Sequence, residues 1–170
     1  SCALPDSVPL IELGTESGNA QLFPEVELDA APRARLAALF DHEGVELRPT
    51  RFEPRALPLV LAYDQEVKLK RRVEDDELDR RISTAALGLA RLFTEKIDGS
   101  HEAKLHVNLN SPVIAALLDA RRAVDDPRVV SAAALLWSVA VLMAPSADTS
   151  GLLDDTLTTI NDNLARLLEL

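Results

Sequence analysis

The sequence is poor in residues that bring chemistry of their own. Cys2 is the single cysteine among 170 residues, so neither an intramolecular disulfide nor a Cys-based zinc site can form. That usage fits a reducing, cytoplasmic setting. Lysine is confined to Lys68, Lys70, Lys96 and Lys104. With 18 basic against 28 acidic residues, the formal net charge is −10. This excludes a general nucleic-acid binder, because phosphate contacts need clustered Lys and Arg. An anionic membrane surface is disfavoured on the same ground. No P-loop, dinucleotide-binding glycine fingerprint or nucleophile elbow occurs. The chain opens at Ser1 without a basic and apolar leader, which reads as a fragment of a longer protein.

What is present is enough apolar residues for one domain. Hydrophobic residues make up 47% and charged residues 27%, which suits a globular domain with a sizeable core. Residues 1–30 hold Pro5, Pro9, Pro24, Gly14 and Gly18, and their short apolar runs read either as edge strands or as a linker. Asp29 is placed to cap a helix whose first turn takes Pro32. Leu36, Leu39 and Phe40 form its apolar face, and Gly44 stands as its C′ residue.

After Gly44 the period changes. Val45 and Leu47 alternate with Glu46 and Arg48, as in a half-buried strand. Leu59, Val60, Leu61 and Ala62 predict a short buried strand. Residues 64–81 are densely charged, and the pairs Glu66 with Lys70, Asp76 with Arg80 and Glu77 with Arg81 support an exposed helix. A more apolar helix follows, with Leu89, Leu92, Phe93 and Ile97 on one side and Gly99 as its stop. Leu105, Val107 and Leu109 then alternate with Lys104, His106 and Asn108, the clearest strand signal in the chain. Asn110-Ser111-Pro112 starts a helix, with Val113, Ile114, Leu117 and Leu118 facing inward. Pro127 opens the next helix, and residues 129–143 carry no charge. A helix apolar nearly all round is buried on most sides, and this run is too short to span a bilayer. Pro145 ends it, and Thr149 or Ser150 caps the last helix. Strands set among helices without regular alternation predict an α+β domain with a small mixed sheet.

The last helix carries the strongest pattern. Leu153, Leu157, Ile160, Leu164 and Leu167 recur at spacings of four and three, the seam of a helix that packs against helices. Val129, Ala133, Leu136, Ala140 and Met143 repeat that spacing on the helix before it. Matching seams predict a hairpin, and Trp137 reads as a core or interface anchor. Large apolar side chains contribute roughly 1.5–3 kcal/mol each when buried, against an association cost of about 4–15 kcal/mol. A two-fold homodimer supplies enough surface to exceed that cost. The other reading folds both stripes onto the chain's own sheet.

Few residues suggest a chemical site. His42, His101 and His106 lack metal-ligand spacing and read as solvent-facing or capping side chains. Asp75-Asp76-Glu77 and Asp154-Asp155 read as solvated or helix-capping acids. A ligand-binding or enzymatic domain would have to draw on His106, Asn108 and Asn110 along one strand. Polar residues alternating on a strand are by default its solvent face.

The segment from Leu105 to Ile114, Leu-His-Val-Asn-Leu-Asn-Ser-Pro-Val-Ile, resembles the strand and helix start in heat shock protein 90 chaperones of the bacterial HtpG type. The paired strands at residues 44–48 and 57–62, the charged helix of residues 64–81, and the long helices at 129–143 and 152–168 follow that family's C-terminal order. The resemblance spans roughly residues 35–170. It implies a C-terminal homodimerisation domain over residues 31–170, preceded by a linker or the end of a middle domain over residues 1–30. It also implies a four-helix bundle made by the last two helices of each subunit. Leu136, Trp137, Ala140, Met143, Leu153, Leu157, Ile160, Leu164 and Leu167 would form the contact. ATP and Mg²⁺ would belong to a separate N-terminal domain, leaving this fragment non-catalytic and without a cofactor. Unfolded client proteins would meet Val67, Leu69 and Val73. Two features depart from the family: those three residues are embedded in charge, and Ser111-Pro112-Val113 stands where the family has His-Pro-Leu. The chain ends Leu167-Leu168-Glu169-Leu170 without the acidic tail of eukaryotic cytosolic members, so partners that read that tail are not implied.

Overall fold

A computed structural model describes residues 16–64, 67, 69–70, 94, 100–144 and 150–168. The order is α1 (Glu16–Leu22), α2 (Ala30–Phe40), β1 (Val45–Thr50), β2 (Leu59–Tyr63), β3 (Ala103–Asn108), α3 (Pro112–Leu118), α4 (Pro127–Met143) and α5 (Ser150–Leu168). The fold is α+β around a three-stranded mixed sheet of order β1-β3-β2.

Strand β3 lies in the centre, parallel to β1 and antiparallel to β2. Its pattern explains that place. Ala103, Leu105 and Val107 are buried on the helical side, while Lys104, His106 and Asn108 sit beside Glu46, Arg48 and Thr50 of β1. Pro49 lacks an N–H, which suits an edge strand. The outer edge of β1 is covered by residues 24–26: the Val26 N–H donates to the Pro49 carbonyl at 2.9 Å and the Arg51 N–H to the Pro24 carbonyl at 3.3 Å. Residues 21–28, read from sequence as a strand or linker, thus split into the end of α1 and one bridge, Glu25 to Thr50. Packing onto the sheet begins ahead of residue 30.

The core gathers Leu36 and Phe40 of α2, Leu59 and Leu61 of β2, the inner residues of β3, Ile114 and Leu117 of α3, and Val129, Ala133 and Ala140 of α4. Helix α3 begins at Ser111-Pro112 as expected, although the Ser111 hydroxyl makes no cap bond. Val113, expected inward, is exposed. Asp126 caps α4 by accepting from the Arg128 N–H at 2.8 Å, with Pro127 at the first helical position. Gly44 does take a left-handed φ of 73°, but α2 ends at Phe40. The glycine turns the chain into β1, where its carbonyl accepts from Glu102 at 2.7 Å. Among the described residues, no helix is long and apolar enough to cross a membrane.

Candidate functional site

The two longest helices, α4 and α5, pack as a hairpin joined by residues 144–149. Ser138 and Thr156, nearly equidistant from the link, line one cavity, which sets the two helices antiparallel. Two turns further from the link, that register puts Ser131 opposite Asn163. All four are buried. The most buried positions of the hairpin's inner seam are therefore small and polar, flanked by the half-buried Ile160 and Leu167. On α5 Asn163 Nδ2 is satisfied locally, donating to the Thr159 carbonyl at 2.8 Å, and the exposed Thr159 Oγ1 donates to that of Asp155 at 2.9 Å.

This seam displaces the leucine stripe. Leu157 and Leu164 remain 43% and 44% exposed, and Ile160 and Leu167 are half-buried. The side chain of Leu153 lies outside the described residues. On α4, Val139, Leu142 and Met143 are exposed, Met143 at 65%. Residues on an α-helix advance about 100° each. In an antiparallel pair meeting along Ser131, Ser138, Thr156 and Asn163, that rotation turns Leu157, Leu164, Val139, Leu142 and Met143 to one side, while Val130, also exposed, turns to the other.

The α4 stripe read from sequence points elsewhere. Val129, Ala133 and Ala140 are in the domain core, and Leu136 and Trp137 pack against it. Trp137 stacks on His42, with ring centroids 3.7 Å apart. Leu136, Trp137 and Ala140 thus serve their own domain, while Met143 stays outside. A helix apolar on several faces contains more than one four-three stripe, and spacing alone does not say which one meets the sheet. In the expected client surface, Val67 is 2% exposed and Leu69 53% exposed. Val73 lies outside the described residues. Burial of Val67 removes it from any surface contact.

The other face of the sheet also departs from expectation. His106 and Asn108, read as solvent-facing, are both buried. The Phe23 ring stacks on His106 at 4.3 Å, and Phe52 meets Phe23 edge-on at 5.0 Å. Arg48 pairs with Glu25 and, at 2.6 Å, with Glu46. Lys104 lies 3.6 Å from Asp64. Neither nitrogen of His106 has a hydrogen-bond partner. Burial, then the cations Arg48 and Lys104, push its pKa down to about 4, so it is neutral near pH 7.

Asn108 is fully engaged. Its Nδ2 donates to the carbonyls of Phe52 and Leu57 at 3.0 Å, and its Oδ1 accepts from the Phe52 N–H at 3.2 Å. The Asn110 N–H donates to the same oxygen at 3.1 Å. These bonds leave Asn108 a structural clamp on residues 52–57, not a free ligand group. Among the described residues, no group of three or more His, Cys, Asp or Glu is placed to hold a metal ion. The one sequence sign of this buried face was the pair of phenylalanines, Phe23 in a short apolar run and Phe52 in a polar segment. The chain matches no family model, no curated protein and no solved structure.

Proposed function

We propose that this chain is a homodimerisation module, the C-terminal domain of an ATP-dependent chaperone of the heat shock protein 90 type. It assembles through the outer side of the α4–α5 hairpin and performs no catalysis itself. One observation carries the reading: Leu157 and Leu164 of α5 stand exposed on the same side as Val139, Leu142 and Met143 of α4. Exposed large apolar side chains gathered on one side of a hairpin favour an interaction site there. A two-fold axis would bring two such sides together, so that each copy covers the other. About half of each side chain remains to be buried, and two copies contribute ten of them. That amounts to on the order of 10 kcal/mol, comparable with the association cost of about 4–15 kcal/mol.

The family assignment draws on the order of elements and on residues 105–114, where a central strand runs directly into a Ser-Pro helix start. In that reading ATP and Mg²⁺ act in a separate domain in the cytoplasm, and unfolded clients meet the region around Leu69. Light scattering across micromolar concentrations tests the dimer. A mass of twice the chain is expected, and a monomer throughout would overturn the assignment. Photocrosslinking from position 69 to an unfolded model protein tests the client contact separately.

A further inference from the structure

We propose that the groove between α4 and α5 on the sheet side of the hairpin binds the head of an organic cation, a guanidinium or an alkylammonium. The groove is a cavity of about 310 Å³ lined by Tyr63 from the end of β2, Trp137, Ser138 and Val141 from α4, and Asp155, Thr156 and Thr159 from α5. That volume lies at the small end of ligand sites.

The lining has the chemistry a cation needs. Trp137 and Tyr63 offer π-systems, whose negative faces attract a cation, tryptophan most strongly. They are the only tryptophan and the only tyrosine in the chain, and both line this cavity. His42 stacks on the Trp137 ring at 3.7 Å, which fixes the indole plane. Asp155 is the only charged residue among the described lining residues, so the site carries one negative charge and no internal cation. Ser138, Thr156 and Thr159 add hydroxyl oxygens. That of Thr159 donates its hydrogen to the Asp155 carbonyl, which leaves its oxygen lone pairs to accept from an N–H. An anion would meet Asp155 and be repelled, and a neutral ligand would gain nothing from its charge.

The groove is separate from the proposed dimer contact. On α5, Asp155 and Thr159 lie on the opposite flank from Leu157 and Leu164, by the rotation of about 100° per residue. The two proposals can therefore fail independently.

The single tryptophan makes the test direct, since emission excited at the red edge, where tyrosine does not absorb, reports Trp137 alone. The protein is titrated with n-butylguanidinium and, in parallel, with its neutral isostere n-butylurea. A saturable change with the cation and none with the urea is expected. Asp155→Asn, at an exposed position, should weaken the cation by about tenfold, the scale of one charge-assisted hydrogen bond. Thr159→Val, with circular dichroism confirming its fold, should weaken it severalfold. An acetyl-Gly-Arg-Gly amide peptide distinguishes sources. Tighter binding than the free cation points to an arginine of a partner protein, and weaker binding to a small free cation. Equal responses to urea and guanidinium, no response to either, or Asp155→Asn binding as tightly as the unmodified protein would overturn the proposal.

Discussion

Asn108 grips Phe52 from both sides of its backbone, donating to its carbonyl at 3.0 Å and accepting from its N–H at 3.2 Å. A central strand thereby fixes the loop that leads into β2. The same amide reaches Leu57, so one side chain holds both ends of the 52–57 loop.

Replacing Asn108 by Leu should be costly. It would orphan buried carbonyls and an N–H that water cannot reach, each at about 1–3 kcal/mol. A total loss of at least about 3 kcal/mol is expected from the urea midpoint, with an unchanged m-value. Asn108→Asp should lose a similar amount, because a carboxylate cannot donate to Phe52 or Leu57.

His106 should make the fold acid-sensitive. Its folded pKa of about 4 lies below the unfolded value of about 6.5. The unfolded chain therefore binds the proton first as pH falls. The contribution is complete above about pH 6.5 and is lost on descent through about pH 4, amounting to about 3 kcal/mol. Urea midpoints measured from pH 7 to pH 4 should fall more steeply for the unmodified protein than for His106→Leu. Equal slopes would remove His106 from the account. Phe23→Ala should raise the His106 pKa toward its ordinary value by admitting water, which proton NMR can follow.

Assembly should depend on the outer side of the hairpin and not on the α4 core stripe. Leu157→Asp combined with Leu164→Asp should weaken the dimer by about 2–4 kcal/mol, or roughly 30- to 1,000-fold. Sedimentation equilibrium reads this directly. Leu136→Ala packs against the core instead and should lower thermal stability while leaving the association constant near its original value. A dimer untouched by the two aspartates would place the interface elsewhere.

The inner seam should tolerate small residues only. Ser138→Ala is expected to change stability little, whereas Ser138→Leu forces a branched side chain between α4 and α5 at about 1–3 kcal/mol. Thermal melts of the two variants separate the cases.

The sequence by itself determined where the strands lie. Alternation at Val45–Leu47 and Leu105–Leu109, and the apolar run after Pro58, mark β1, β3 and β2, because a strand with one buried face has period two. It also determined the starts of α3 and α4, where Ser111-Pro112 and Pro127 leave little else for the backbone to do. Only tertiary structure decided which side of each element is inside. The alternating polar residues His106 and Asn108 are buried because Phe23 and Phe52 return from distant segments to cover them. The α4 spacing that suggested a partner seam instead meets the sheet, since an all-apolar helix offers several equivalent stripes. On α5 Leu157 and Leu164 stay outside because the small Ser131 and Ser138 of α4 draw in Thr156 and Asn163. Periodicity reports that a helix has an apolar side, and the neighbours that reach it decide whether that side is core or surface.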